Sequence, residues 1–473
     1  KLDAIVGYID RDVNSNSGGN GGRDLLSSAT SIRPLVPVRF TNGSWGYHGG
    51  QSNPVAIAND GGFNDFGSQE VTANIAATLN IIDGLDIKGQ YGLVRYNSKR
   101  TVLDKTINYY SPDDNQLIYQ TNFPNRIGVT DYTGLYQTFI GTVNYHKTFR
   151  EKHELTALLG VSQEEDIVSD FSATRQNLPT EDVPSLNLGT ENPQNNSSGR
   201  QFALQSLFGR INYGFKNKYL AEANFRYDGS SRFAPDVRWN WFGSASLGWV
   251  FSEEDFFAGL RDVIPSAKLR ASYGTQGNDR IVNTSDPNNP VPIYYAYQAI
   301  LNPVQIGSNN PIGDMPQVGF RQTLIPNRGL TWETAEKFNV GIDLSLLNNR
   351  LGITADYYIN NTNDILLTPP LPDVIGVGTG YPPQNSGSVQ NKGWELNLAW
   401  QDKVGEVKYG INVNLSDVRN KITKLENFAT NLSDRVRLEG YPIDALYGFI
   451  ATGIAQYSDF DLVDGEYVPK FPY

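Results

Sequence analysis

The feature that most limits what this chain can form is a period of two: apolar and polar residues alternate, segment after segment, along most of its 473 residues. Successive side chains of an extended strand point to opposite faces, so alternation creates one apolar face and one polar face. In residues 219–228, Tyr219, Ala221, Ala223, Phe225 and Tyr227 share one face, and Glu222, Asn224, Arg226 and Asp228 share the other. The pattern recurs at Val71, Ala73, Ile75, Ala77, Leu79 and Ile81, at Phe338, Val340, Ile342, Leu344 and Leu346, and at Leu351, Ile353, Ala355, Tyr357 and Ile359. Ala267 to Tyr273, Trp394 to Trp400 and Val407 to Leu415 continue it. Roughly 13 or 14 such segments of about ten residues are present, the length a tilted strand needs to cross a bilayer. Residue usage agrees: aromatics reach 12% with 26 Tyr, and Gly numbers 46, where a helical protein would draw on Ala, Leu, Lys and Glu.

Alternation alone also describes a soluble sandwich, and connection lengths separate the two. Short turns at Asp83-Gly84, Lys216 to Lys218, Asn348 to Arg350 and Asp402 to Glu406 alternate with long polar stretches near 10–69, 98–131, 167–199, 277–334 and 363–391. Sorting of short and long connections onto opposite rims marks a barrel meander with tight periplasmic turns and long extracellular loops. Aromatics at strand ends (Tyr145, Tyr213, Tyr219, Tyr227, Trp249, Tyr357, Trp394 and Trp400) suit girdles at the two membrane interfaces. The opposite face is too polar for a dry core and implies a wide lumen, wet or plugged. No run approaches ~18 consecutive apolar residues, so no transmembrane helix is expected. A mean hydropathy of −0.41 leaves the barrel open, because only every second residue of a barrel strand meets lipid.

Other function classes find little support. Cysteine is absent, which rules out disulfides and thiolate metal sites. The net charge of −11 argues against a nucleic-acid footprint. His48, His146 and His153 lack a metal-ligand spacing, and no G-x-S-x-G elbow occurs, so neither a metal site, a cofactor nor an enzyme is expected. Gly376, Gly378 and Gly380 stand among prolines and read as a loop rather than a phosphate cradle. Asp459, Asp461, Asp464, Gly465 and Glu466 miss the calcium-loop register by one residue and read as a solvated loop. Carboxylates 164–166 and 253–255 read as charged strand ends. The chain begins at Lys1 without an initiator Met or a signal peptide, which reads as an internal or processed start.

Three ordered blocks resemble the SusC/RagA type of TonB-dependent outer-membrane transporter. They are NKYLAEANFRYDGSSRFAPDVRWNWFGSASLGWVFSEEDFF from Asn217 with AKLRASYGTQGN from Ala267, LTWETAEKFNVGIDLSLLNNRLGITADYYINNTNDILL from Leu330, and NSGSVQNKGWELNL from Asn385. One departure is Phe242-Gly243-Ser244 where the family has Phe-Pro-Ser. The resemblance implies an all-β, transmembrane antiparallel barrel of about 22 strands, of which residues 1–473 form part of a single barrel domain. An N-terminal plug domain and the terminal strands fall outside this chain on that reading. It further implies TonB-dependent import of a large nutrient, an oligosaccharide or peptide, across the outer membrane of a Gram-negative bacterium. TonB acts through a plug segment outside these residues, and a SusD-like surface lipoprotein is the implied partner.

The residues expected to meet the ligand or the capping partner are aromatics in the extracellular loops: Trp45, Tyr47, Tyr109, Tyr110, Tyr294, Tyr295, Tyr297 and Tyr381. Flat rings stack on sugar faces while neighbouring Asn, Asp and Gln bond hydroxyls. Packing within large loops explains the same rings equally well. A passive porin and a secreted adhesin or glycan-binding protein remain alternatives at this point. The porin would lack a plug, and the adhesin would be soluble without detergent.

Overall fold

The computed structural model describes residues 1–16, 23–47, 53–283, 291–306, 317–367, 383–426, 435–448, 450–451, 453–454 and 456–470. Its centre is one antiparallel sheet of 13 strands. In chain order these are β1 (Leu2–Asn16), β2 (Gly62–Ile82), β3 (Leu85–Asp104), β4 (Arg126–Phe149), β5 (His153–Gln176), β6 (Glu191–Phe215), β7 (Tyr219–Ser230), β8 (Trp239–Trp249), β9 (Ser266–Asn278), β10 (Glu333–Leu346), β11 (Leu351–Leu367), β12 (Gln384–Val404) and β13 (Val407–Leu425). Each pairs with its sequence neighbour, so the sheet is a pure meander.

The register joins the alternating residues into two continuous faces. One row runs Leu79, Ile87, Val143, Leu159, Gly209, Phe225, Gly243 across seven strands. Every large residue of that row is exposed. Further along, Tyr273 lies opposite Phe338 and Tyr357 opposite Trp394, again exposed. A soluble monomer rarely leaves an apolar patch beyond a few hundred Å² in water, and this one spans the sheet. The face fits lipid, and the sequence alternation is the reason it exists.

The opposite face is a ladder of hydrogen-bonded polar groups. Asn144 donates to Asp86 at 2.8 Å, Arg210 to Asn224 at 2.7 Å, and Asn224 to Glu222 at 2.7 Å and Ser244 at 3.1 Å. Near the strand tops, Phe242 of this polar face is buried with Phe233, Ile281, Ala296, Leu330 and Trp332 from the connections 231–238 and 279–332. Those loops therefore fold over the polar side.

Strands run well beyond the ten residues that the alternation marks. β4 and β5 have 24 residues each and β6 has 25, so much of 98–131, 167–199 and 363–391 is strand, not loop. The reason is physical: beyond the exposed apolar band both faces meet water or loops, so residues such as 191–199 keep the ladder without keeping the alternation. The final turn is likewise tighter than expected, two residues at Gly405-Glu406, because β12 extends through Val404. The Asp464-Gly465 pair closes a small hairpin between Phe460–Val463 and Glu466–Pro469. Gly376, Gly378, Gly380 and His48 lie outside the described residues.

The sorting of connections holds with one exception on each rim. Turns at 83–84, 150–152, 216–218, 347–350 and 405–406 are tight. At the first, Gly84 adopts φ +81°, and a Cβ there would meet the His146 carbonyl oxygen at 2.2 Å. The same rim carries residues 250–265, which form two short 3-10 helices, Phe251–Glu253 and Asp255–Leu260. The long-loop rim in turn includes the eight-residue link 231–238. Strict alternation of loop length is thus broken around β8.

Glu254 fastens the 250–265 segment. Its carboxylate accepts from the Tyr219 hydroxyl at 2.6 Å, the Trp249 indole at 3.2 Å and the Lys218 ammonium at 3.3 Å. These donors, the Tyr219 hydroxyl foremost, hold the carboxyl below the usual carboxylate range. A depressed pKa contributes stability that is fully present above the ordinary value and is lost as pH falls through the lowered one. Hydrogen exchange of residues 250–265, corrected for intrinsic rates, is expected to stay constant from neutral pH and to rise only once the pH has fallen below the ordinary carboxylate range. Glu254→Gln should remove that dependence; an unchanged acid response in the variant would show that another group governs it.

Candidate functional site

The polar face carries an aromatic platform on its third and fourth strands. Tyr96 on β3 and Tyr132 and Tyr136 on β4 share that face, since Tyr96 pairs with Gly134, Ser98 with Tyr132, and Val94 with Tyr136. The rings of Tyr96 and Tyr132 meet edge-on, with centroids 5.7 Å apart and an interplanar angle of 70°. Tyr136 donates its hydroxyl to Glu164 at 3.1 Å. Asp166 on β5 lies directly opposite Tyr136. The three tyrosines and Asp166 line a shallow groove of about 520 Å³ with Val94 and Val168, and Glu164 borders it through Tyr136. Rings beside carboxylates can hold the apolar face of a ligand while accepting from its hydroxyl or amine groups.

Nearer the tight turns a second groove of about 540 Å³ is lined by Glu154, Glu222, Lys268, Arg270 and Asn339. Its floor is organised by Arg270, which bonds Asp343 at 3.1 Å and Asn339 at 3.3 Å on β10 and reaches over that strand to Asp356 on β11 at 2.6 Å. Gly341 leaves the lane for this crossing open: a Cβ there would stand 2.7 Å from the Arg270 guanidinium carbon, and the guanidinium would have to move aside.

The loop aromatics form two groups. Trp45, Tyr47 and Tyr109 come together with Ala56, Ile107 and Tyr119 in a core shared by the connections after β1 and β3. Trp45 is buried, donates its indole N–H to Asp60 at 2.8 Å, and has the Arg39 guanidinium 3.5 Å from a ring centre. Tyr47 stacks on Tyr119 at 4.7 Å. Tyr109 is wholly buried, its hydroxyl accepting from the Asn53 amide N–H at 3.3 Å. Asn53 caps the helix Pro54–Asp60 and bonds the carbonyls of Val38 and Gly46. Tyr110 is half-buried beside this core, and its carbonyl accepts from Ser44.

The second group lies in the connection after β9. Tyr294 sits within 5.7 Å of the Arg200 guanidinium and 5.4 Å of Arg232. Tyr295 donates to the Gln201 carbonyl at 2.6 Å, and partial burial raises its hydroxyl pKa. Tyr297 meets Tyr295 edge-on at 6.3 Å. All three rings are half-buried. Among the described residues no ring contact joins the two groups, and Tyr381 lies outside them.

His146 and His153 each face a hydroxyl, of Thr156 at 3.1 Å and Tyr213 at 2.7 Å. Among the described residues no three metal-ligating side chains cluster. Tyr96, Tyr132 and Tyr136 are not among the loop aromatics that the sequence singles out. The signal was available in the parity: they are aromatics standing on the polar phase of β3 and β4, where strand propensity and girdle position do not call for them.

Residues 7–470 match the family model described as TonB dependent receptor-like, beta-barrel. The chain belongs to the TonB-dependent receptor β-barrel family. TonB-dependent receptor P3 of Formosa agariphila is 28% identical over 471 residues, covering 94% of this chain and 43% of that protein. TonB-dependent receptor SusC of Bacteroides thetaiotaomicron is 33% identical over 226 residues, 47% of this chain and 21% of that protein. The structure of the RagAB peptide importer in its closed-closed state superposes with a TM-score of 0.71 at 24% identity, covering 85% of this chain and 43% of the other. The receptor chain spans less than half the length of these relatives. The likeness to RagAB shows the fold, and the family model together with the SusC match makes the chain a TonB-dependent barrel of the SusC/RagA type, a class of outer-membrane proteins.

Proposed function

We propose that this chain is part of the wall of an importer in the outer membrane of a Gram-negative bacterium, which takes up an oligosaccharide or peptide with energy delivered through TonB. The observation that carries the reading is the tyrosine and carboxylate groove on the face opposite the lipid-facing one. A simple pore wall has no need of a ring platform, whereas a carrier of large solutes needs a place for them to rest. Two named relatives support the class: SusC is a TonB-dependent receptor and RagAB a peptide importer. The charged groove around Arg270 suits a plug domain, which requires polar partners on the wall. The loop groups around Trp45, Tyr47, Tyr109 and Tyr110, and around Tyr294, Tyr295 and Tyr297, form the rim that a SusD-like lipoprotein and the ligand would meet; Tyr381, outside the described residues, is proposed for the same role from its sequence alone.

The deciding experiment deletes the gene in its native host and follows uptake of fluorescent oligosaccharides and of fluorescent peptides. Import of one class should vanish, return on complementation, and vanish again without TonB. Uptake that survives loss of TonB would establish a porin instead. With the substrate class identified, Tyr96→Ala/Tyr132→Ala is expected to raise the half-saturating concentration about 2- to 10-fold, the equivalent of one lost ring contact. Receptor abundance in outer-membrane fractions should stay unchanged.

A further inference from the structure

We propose that residues 250–265, the connection between β8 and β9, form a foot that lies in the headgroup and acyl boundary of the inner leaflet. The proposal rests on the outer-membrane barrel reading. The segment is the anomaly on its rim: the five tight turns there use two to four residues, yet 250–265 joins strands that are already paired at Trp249 and Leu269. Sixteen residues are not needed to close that gap. What they add is an apolar surface.

Phe256 is 71% exposed, Leu260 51% and Val263 52%. Phe257 is buried and packs edge-on against Phe251 at 5.3 Å, so the segment has an inner side as well as an outer one. The direction of the outer side is fixed by contacts with the wall. Tyr219 and Trp249 face each other on the apolar side of β7 and β8, and both donate to Glu254. Phe256 approaches Trp249 at 6.3 Å. The exposed phenyl ring therefore continues the lipid-facing surface past the last strand residue.

The far end is fastened too. Arg261 donates to the carbonyls of Ser252 and Glu254 at 2.6 and 3.2 Å, and the Leu347 N–H donates to the Val263 carbonyl at 2.9 Å. These ties hold the segment along the rim instead of letting it hang into the periplasm. Glu253, Asp255 and Asp262 are exposed on the same segment. Exposed acids interleaved with exposed Phe256, Leu260 and Val263, the first of them beside Trp249 on the apolar side, give the amphipathic composition of an interfacial segment. Continuity with the apolar band favours lipid as the occupant over a protein partner.

These 473 residues contain no cysteine, so a label introduced among them reports on its own position once any cysteine elsewhere in the full-length receptor has been replaced. Phe256→Cys, Val263→Cys, Leu159→Cys and Asn217→Cys, each in the full-length receptor, are labelled with a nitroxide and reconstituted in phosphatidylethanolamine and phosphatidylglycerol vesicles. The receptor without the introduced cysteine serves as background. Collisions with oxygen, which concentrates in lipid, are compared with those of a water-soluble nickel chelate. Positions 256 and 263 should show an oxygen-to-nickel ratio near that of position 159 and several-fold above that of position 217 in a neighbouring turn. A ratio equal to that of position 217 would place the segment in water, and shielding from both agents would place it under protein; either overturns the foot. If position 159 itself is not lipid-accessible, the barrel reading fails instead. Position 263 keeps the test decisive should Phe256→Cys not assemble.

Discussion

Arginine at Leu159 is expected to destabilise the barrel by about 2–4 kcal/mol, while arginine at Ser162, three residues along the same strand, is expected to change stability by less than about 0.5 kcal/mol. The two positions differ in parity. Leu159 lies in the exposed apolar row between Val143 and Gly209, midway in register between the level of the rim ring Tyr213, opposite Leu155, and that of the upper ring Trp239, in line with Gln163. A guanidinium there has no polar partner within the band and must drag water or headgroups to itself. Ser162 lies on the polar face opposite Ser206, where a long cation can find solvent and carboxylates. Guanidinium titrations of the receptor in lipid vesicles would measure both. Equal effects at the two sites would mean that the apolar face is not the lipid face.

That contrast depends on the part of the fold that was legible in the sequence. Alternation at Tyr219 to Asp228 or Val71 to Ile81 marks strands because each side chain meets a different medium, and the medium selects the residue. Where the medium is the same on both sides the code goes silent: Glu191 to Gly199 pairs along β5 yet reads as loop. Loop packing was equally hidden. Nothing local distinguishes Trp45 and Tyr109, which enter a core, from Tyr294, which keeps an open edge, because burial of a loop ring depends on a partner distant in the chain. The connection 250–265 shows a third kind of silence, since its clamp joins Lys218, Tyr219, Trp249 and Glu254 from two strand ends.

The family blocks, by contrast, combine legible and illegible demands. Gly341, Arg270 and Asp356 are single letters in three separate strands, and their relation appears only when register brings them into line: Arg270 pairs with Gly341, and Gly341 with Asp356. A glycine in mid-strand weakens a sheet by itself. Here it opens the lane through which a guanidinium binds two carboxylates on successive strands, so a local loss of propensity supports a contact across three strands.

Arg270→Met is accordingly expected to cost about 1–3 kcal/mol, because it leaves two acids without their donor on a partly shielded wall. Asp356 is the more sensitive of the pair: its side chain is 14% exposed, against 37% for Asp343. One of its oxygens is already buried without a partner. Asp356→Asn in the Arg270→Met background should therefore recover part of the loss, giving a coupling of about 0.5–3 kcal/mol in a double-mutant cycle. Gly341→Val should reproduce the single-variant loss with both charges in place, since the new side chain fills the lane between them. Unfolding titrations of the four variants decide the matter. If Gly341→Val were neutral while Arg270→Met was costly, the guanidinium would have another route to Asp356. If both were neutral, the bridge across the three strands would contribute no stability to the wall.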